Sequence, residues 1–240
     1  MKTRLDRLLV ERGLADSREK AQALIMAGEV LVDGQKAAKP GQGVAAEAAL
    51  AVLARLPYVS RGGFKLAEAL RHWNIDVTGW VCLDVGSSTG GFTDVLLQAG
   101  AARVHAVDVG AGQLDWKLRT DLRVVLHEGI NARRLSPEEI GETVDLATCD
   151  VSFISATLIL PAVAPLLRPN GQMVILVKPQ FEAGRGQVGK GGIVRRPEVH
   201  QAACQRVERA AADLGFRTDL IESPILGAEG NKEFLLYAHH

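Results

Sequence analysis

The spacing of apolar positions changes character near residue 60. Before that point the pattern is short and mixed. Leu5, Leu8 and Leu9 recur at helical spacing, and Gly13 marks the stop. A second helix is predicted with Asp16 or Ser17 as its cap, Glu19 standing three residues after Asp16 as in a capping box. Its inward positions are Ala21, Leu24 and Ile25, and Gly28 ends it. Val30-Leu31-Val32 reads as a strand turning at Asp33-Gly34, a hairpin signal. The softer, Ala/Gly-rich stretch from Lys39 to Pro57 holds one further strand, over residues 49–53. Pro57 breaks any element that would run through Arg55-Leu56-Pro57-Tyr58, which reads as an interdomain joint.

Beyond residue 60 apolar, β-branched runs alternate with helical patterns. The strands are predicted at residues 81–85, 104–109, 123–126, 144–149, 173–177, 217–222 and 234–238. Helices are predicted over 63–72, 91–99, 155–167 and 197–214. Such alternation predicts a mostly parallel sheet covered on both faces. The short loop between the last two strands adds an antiparallel edge strand. The expected architecture is a seven-stranded, Rossmann-like α/β domain over residues 60–240, a linker at 55–59 and a small α+β domain over 1–54.

Composition narrows the class. Of 240 residues, 47% are hydrophobic and 23% charged, which is globular and not disordered. Cys82, Cys149 and Cys204 are scattered, without Cys-x-x-Cys or a nearby His pair, so buried reduced thiols in a cytoplasmic protein are expected and no metal site is. The charged start, Met1-Lys2-Thr3-Arg4, has no signal-peptide core. The uncharged run over residues 151–167 is shorter than the ~18–20 residues of a membrane span and contains Pro161 and Pro165, so no membrane partner is expected. His239-His240 is given no role.

The sharpest local signal is Val81-Cys82-Leu83-Asp84-Val85-Gly86-Ser87-Ser88-Thr89-Gly90-Gly91-Phe92: a strand, a loop of small residues, then a helix. Glycines admit a ligand close to the backbone, and a helix N-terminus favours an anionic group. The Gly-x-x-x-Gly-Gly spacing differs from the nicotinamide fingerprint and lacks the Lys-Ser/Thr of a phosphate loop. With Asp84 closing the strand, it suits S-adenosylmethionine, whose amino acid part offers an ammonium and a carboxylate. Asp108 ends the next strand 22 residues after Gly86, where an acid for ribose hydroxyls is expected.

Four charged residues stand where chemistry is placed. Lys178 and Asp150 directly follow apolar strands, at the carboxyl ends where α/β sheets bind ligands. Lys65 opens a helix in Arg61-Gly62-Gly63-Phe64-Lys65, and Glu233 precedes the last strand.

These residues carry a resemblance that spans nearly the whole chain. Arg4-Leu5-Asp6, Ser17-Arg18 and Ala27-Gly28-Glu29-Val30-Leu31-Val32-Asp33-Gly34 resemble the RNA-binding module of the ribosomal-protein S-four type. Ser60-Arg61-Gly62-Gly63-Phe64-Lys65-Leu66, the Asp84 to Phe92 loop, Cys149-Asp150-Val151-Ser152-Phe153-Ile154-Ser155, Val177-Lys178-Pro179-Gln180-Phe181-Glu182 and the segment from Gly227 to Phe234 resemble FtsJ-like ribose 2′-O-methyltransferases. In this order they resemble the TlyA/haemolysin-A family. The resemblance implies a class I methyltransferase fold, S-adenosyl-L-methionine as cofactor, ribosomal RNA or ribosomal subunits as partner, and a cytidine 2′-hydroxyl as acceptor. It also implies a catalytic tetrad of Lys65, Asp150, Lys178 and Glu233. The cofactor residues are then Asp84, Gly86, Ser87, Ser88, Thr89, Gly90, Gly91, Phe92, Asp108 and Asp150. Related enzymes often carry an acid after the third strand to reach adenine; this chain offers Asn131 there, whose amide can read the same edge.

RNA contacts are expected from a basic, glycine-rich loop. Residues 179–196 contain Gly184, Gly186, Gly189, Gly191 and Gly192 with Arg185, Lys190, Arg195 and Arg196. Phe181 is a candidate for stacking on a splayed base. Arg61 and, in the small domain, Arg4, Arg7 and Arg18 are candidates for phosphate contacts. The 28 basic and 28 acidic residues cancel. Segments 1–39, 61–65 and 178–196 nonetheless carry +2, +2 and +4, leaving −8 on the rest. Modest affinity for arbitrary RNA and reliance on a structured target follow.

The leading expectation is a ribosomal RNA ribose 2′-O-methyltransferase. Because this chain starts almost at its first helix, the narrower, large-subunit specificity is the expectation. The alternatives are a pore-forming haemolysin, which the family's name suggests, a non-catalytic RNA-binding assembly factor, and a small-molecule methyltransferase, which leaves the first domain without a use.

Overall fold

The computed structural model describes residues 2–53, 56–184, 186–227 and 230–240. The chain divides into two compact units, Met1–Pro57 and Tyr58–His240. Of the expected linker, Arg55 lies outside the described residues, as does Ala54 before it.

In the first unit, β1 (Lys2–Arg4) leads into α1 (Leu5–Glu11), followed by α2 (Arg18–Met26), β2 (Val30–Val32), β3 (Gln35–Lys36), β4 (Gly43–Ala45) and β5 (Leu50–Val52). Leu5, Leu8 and Leu9 of α1 pack on Ala21, Ile25 and Val30. The α2 cap is Ser17, whose hydroxyl accepts the Lys20 N–H. The capping box expected of Asp16 and Glu19 is not the arrangement formed: the Asp16 carboxylate pairs with the Lys20 ammonium at 2.5 Å. The β2–β3 hairpin turns through Asp33 and Gly34, both at positive φ (50° and 80°), the requirement that Asp-Gly meets. The order β3-β2-β5 makes one small sheet, and β1 pairs with β4, a strand the Ala/Gly-rich pattern did not announce.

The second unit begins with α3 (Gly62–His72) and β6 (Val81–Val85), then α4 (Gly91–Gln98), β7 (Arg103–Asp108), α5 (Trp116–Arg119), β8 (Val124–Glu128), α6 (Pro137–Ile140) and β9 (Val144–Cys149). It continues through α7 (Leu160–Val163), β10 (Leu167–Val177), α8 (Pro179–Glu182), α9 (Pro197–Ala212), β11 (Arg217–Glu222) and β12 (Phe234–His239). The seven strands lie in the order β11-β12-β10-β9-β6-β7-β8. Strand β12 runs antiparallel to both β10 and β11, so the antiparallel edge is the β11–β12 pair.

Alternation along each strand feeds two cores. On β6, Leu83 and Val85 face a core shared with Cys204 and Val207 of α9 and with Ile159 and Leu160. Cys82 faces the other, with Leu66 of α3 and Phe92 and Leu96 of α4. All three cysteines are buried and free.

The single helix expected over 155–167 is corrected by the structure. The segment is broken into a 3₁₀ turn at Ala156–Leu158, then α7, then a second 3₁₀ turn at Ala164–Leu166. Pro161 and Pro165 each lack the N–H that a continuous helix needs in its interior, and each falls in the first turn of its short piece. Strand β10 starts six residues earlier than expected, with a register shift against β9 between Leu167 and Gln172 where Asn170 takes a positive φ of 65°.

Candidate active site

The topology assembles the site before any side chain is considered. Strands β10, β9, β6 and β7 are parallel neighbours. Lys178, Asp150 and Gly86 therefore follow their last residues side by side, with Asp108 closing β7. Because β12 is antiparallel, with Phe234 paired to Val177, its leading residue Glu233 arrives at the same end.

The glycine loop needs its glycines for two reasons. Gly86 has φ +87°, and a Cβ on it would sit 2.5 Å from the Asp150 carbonyl oxygen. A Cβ on Gly91 would sit 2.3 Å from Ser60 Oγ. The loop is tied to β7 by the Ser88 N–H donating to Asp108 Oδ2 at 2.8 Å, while Asp108 Oδ1 accepts from the Gly110 N–H at 2.7 Å. A carboxylate offers about four acceptor positions, so Asp108 keeps capacity for a hydroxyl pair.

Asp84 is elsewhere. Its carboxyl is fully buried and accepts from Thr93 Oγ1 at 2.7 Å and Thr148 Oγ1 at 3.0 Å. Burial pushes its pKa up to about 6, the two hydroxyls pulling against that and Asp150 adding to it. Asp84, expected among the cofactor residues, is held to α4 and β9 through these two hydroxyls. Gly90, at φ +96°, packs closely under Leu118 and Leu114.

Three cavities meet here. One of 460 Å³ is lined by Gly86, Ser88, Asp108, Gln113, Asn131 and Asp150, with apolar walls from Val107, Ile130 and Ile154. A second of 170 Å³ is lined by Ser60, Gly86, Ser87, Ser88, Thr89, Gly91, Phe92, Asp150 and Lys178. A third of 500 Å³ holds Lys65, Lys178, Gln180, Phe181 and Glu233. Ser152 lines all three, and Asp150 the first two.

The four expected catalytic side chains form two pairs. Lys65 Nζ lies 2.5 Å from Glu233 Oε2, with both residues buried. Lys178 Nζ lies 2.6 Å from Asp150 Oδ1 and donates to Ser152 Oγ at 2.9 Å. An ammonium has three donors, so Lys178 keeps one for the cavities it lines.

The first two cavities fit S-adenosylmethionine. The flat apolar walls beside Asp108 and Asn131 suit an adenosine. Asn131 Oδ1 accepts from the Arg133 N–H at 3.1 Å, which leaves its amide donors for a base edge. In the smaller cavity the Ser87 hydroxyl is buried without a hydrogen-bond partner among the described residues, which suits a polar amino acid moiety.

Several residues that shape the site stand inside the family's motifs but were given no role of their own from the sequence, among them Ser152, Phe153 and Glu182. Phe153 is 91% exposed at a positive φ of 64°, its ring 5.3 Å from that of Phe181. Lys178 Nζ lies 5.9 Å from the Phe181 centroid. Glu182, 3% exposed, accepts from Ser155 Oγ at 2.5 Å and the Ala156 N–H at 2.7 Å. The signal that could have found Ser152 and Phe153 is their place directly after Asp150 in the motif over residues 149–155.

Of the RNA candidates, Arg61, Lys190, Arg195 and Arg196 are exposed, and Arg185 lies outside the described residues. In the first unit Arg7 is exposed, while Arg4 and Arg18 converge on the fully buried Asp6, each at 2.9 Å. Among the described residues no group of His, Cys, Asp and Glu could hold a metal ion, and no helix is long and apolar enough to cross a membrane.

Comparison with known proteins agrees with this geometry. The FtsJ-like methyltransferase family model matches residues 58–240, and the S4 domain model matches residues 3–49. The 16S/23S rRNA (cytidine-2′-O)-methyltransferase TlyA of Mycobacterium tuberculosis is 48% identical over 239 residues, covering 98% of this chain and 89% of that protein. A solved structure from Streptococcus thermophilus that carries a hemolysin name is 46% identical with a TM-score of 0.77, covering 99% of this chain and 88% of that one. An S-adenosylmethionine-dependent methyltransferase from Mesorhizobium loti, 18% identical with a TM-score of 0.52 over 72% of this chain and 98% of that one, shares the fold.

Proposed function

The chain belongs to the FtsJ-like methyltransferase family, and from that premise we propose that it transfers a methyl group from S-adenosylmethionine to the 2′-hydroxyl of a cytidine in ribosomal RNA. The observation that supports this most is Lys178, held between Asp150 and Ser152 where the two cofactor-shaped cavities meet the third. The third cavity is then the acceptor site.

When bound, the cofactor supplies an electrophilic methyl group on a sulfonium. The chain's part is to present a ribose oxygen to it. A 2′-hydroxyl is a poor nucleophile while it keeps its proton. Lys178 stands nearest the 2′-oxygen; in its neutral form it accepts that proton, and in its charged form it stabilises the developing alkoxide. Asp150 and Ser152 hold its Nζ in place. Lys65, paired with Glu233, positions the ribose from the far side of the cavity. Alignment of a hydroxyl on a methyl carbon is where a binding site gains most, and both lysines of the third cavity are fixed by ion pairs that resist reorientation. Exposed Phe153 and half-buried Phe181 suit the base of a nucleotide drawn out of its stack. The S4 domain supplies phosphate contacts through Arg4, Arg7 and Arg18. Arg61, Lys190, Arg195 and Arg196 supply them beside the site.

Mapping ribose methylation by mass on both ribosomal subunits, with and without the protein, tests the proposal. Methyl transfer to a cytidine of ribosomal RNA is expected, and Lys178→Ala should remove it. Full transfer by Lys178→Ala refutes the role given to that lysine. Absence of any transfer by the intact protein, alongside leakage from liposomes, favours the haemolysin reading.

A further inference from the structure

Asn231 is 2% exposed and sits two residues before Glu233. Its side chain makes two bonds to the backbone of the basic loop: Oδ1 accepts from the Val194 N–H at 3.0 Å, and Nδ2 donates to the Gly192 carbonyl at 3.0 Å. Its own carbonyl accepts from the Gly227 N–H at 2.8 Å. Gly227 in turn leaves no room beside Glu233, for a Cβ there would lie 2.0 Å from Glu233 Oε1. One amide thus joins the loop that carries the free cations to the segment that carries Glu233.

The bond pattern is selective. An asparagine presents one acceptor and one donor side by side, as a peptide unit does, and so can pair with a strand of backbone as another strand would. Asp, Leu or Ala at the position cannot satisfy both partners, and unsatisfied buried backbone groups are costly. The loop end is held from outside as well, because His200 Nε2 is 2.9 Å from the Val194 carbonyl. Within the loop, a turn closes through Gly192 N–H to Gly189 carbonyl (3.1 Å) and Gly189 N–H to Ile193 carbonyl (3.0 Å). Val188 and Gly192 of this loop, with Asn231 itself, form part of the wall of the 500 Å³ cavity.

We propose that Asn231 is a positioning residue that clasps the basic loop to the acceptor cavity, so that engagement of the RNA backbone by Lys190 and Arg195 and placement of the ribose beside Lys65 and Glu233 occur as one event. The proposal rests on the methyltransferase reading above and deepens it. Without the clasp the loop swings away from the cavity wall. The cations then no longer stand at a fixed distance from the reacting hydroxyl, while the cofactor cavities, built on β6, β7 and β9, are untouched.

The full-length protein with Asn231→Asp tests this. The substitution keeps the side-chain shape but sets an oxygen against the Gly192 carbonyl. Limited trypsin digestion should cut after Lys190 and Arg195 about tenfold faster than in the parent protein. The KM for ribosomal subunits should rise about tenfold while the affinity for S-adenosylmethionine, read by calorimetry, stays within about twofold. A Lys190→Ala, Arg195→Ala protein should show the same rise in KM without faster cutting elsewhere in the loop, and adding Asn231→Asp to it should change little. Faster cutting with unchanged RNA kinetics overturns the coupling. Unchanged cutting overturns the clasp, and so does loss of cofactor affinity, which marks a general support of the fold. Strictly additive effects in the combined protein also overturn it. If the parent protein transfers no methyl group, the functional reading fails by itself, and the digestion and calorimetry still decide the clasp.

Discussion

A carboxyl buried completely between two threonine hydroxyls, as Asp84 is, burdens the fold once it ionises. Its pKa is raised to about 6 in the folded protein, against 3.8 for the free group. Between those values the unfolded chain is ionised while the folded one keeps its proton. Stability from this group is therefore full below pH ~4, falls as pH rises, and is gone above pH ~6, a change of about 3 kcal/mol. Asp84→Asn keeps the hydrogen bonds without the charge. It should raise the melting temperature at pH 7 and flatten this acid-side dependence in thermal melts from pH 4 to 7. Ser152 is a second residue decided by its neighbours. Ser152→Ala removes one of the two partners that direct Lys178 Nζ, and kcat should fall about tenfold to a hundredfold with little change in KM for the cofactor. Ser152→Thr, which keeps the hydroxyl, should restore most of it.

Elements are joined at this site by groups that belong to neither. The ends of β9 and β10 are held together by Glu182, reaching from α8 to the start of the 3₁₀ turn Ala156–Leu158. Burial pushes the Glu182 carboxyl up, and the Ser155 hydroxyl and Ala156 N–H pull it back. Glu182→Ala leaves the buried Ala156 N–H unpaired, while the Ser155 hydroxyl keeps Thr157, and should lower stability by about 1–3 kcal/mol in urea titrations. The strands 81–85 and 144–149 are found where the apolar runs predicted them, because a strand covered on both faces is apolar nearly throughout and its limits are marked by Gly86 and Asp150; the edge strand 217–222 is found too, although only Leu220 and Ile221 of it are apolar. The segment over 155–167 was not legible as it folds. Its uncharged composition fits a helix, but the two prolines and the contacts of Ile159, Leu160 and Val163 with the sheet divide it into short turns.

At the scale of the whole molecule, neutrality conceals an uneven distribution of charge. Many basic groups are internally compensated: Arg103 by Glu142, Arg119 by Glu128, Arg123 by Asp121 and Arg168 by Asp145. Lys190 and Arg195 have no ion-pair partner among the described residues, and Arg18 offers its terminal nitrogens past Asp6. Affinity for ribosomal RNA should therefore fall with salt along a modest slope in a filter-binding series. Arg18→Ala should weaken binding about tenfold and reduce that slope by about one, with Asp6 still held by Arg4 and Gln22.

The chain by itself determined the two-part organisation of its patterns, the parallel sheet, the glycine loop and the order of the motifs, because periodicity, turn residues and strand ends are local properties of sequence. It also carried Lys65, Asp150, Lys178 and Glu233 through the family resemblance. Only the tertiary structure joined them into two ion pairs, since residues 168 positions apart, such as Lys65 and Glu233, meet through strand order and the reversed direction of β12. The same holds for Asp84, whose place beside the loop says nothing of the two threonines, 9 and 64 positions away, whose hydroxyls meet its carboxyl. It holds for Asn231 too, whose role depends on backbone atoms 37 and 39 residues away. Side-chain direction and burial are set by what the fold brings alongside, and no spacing along the chain encodes that.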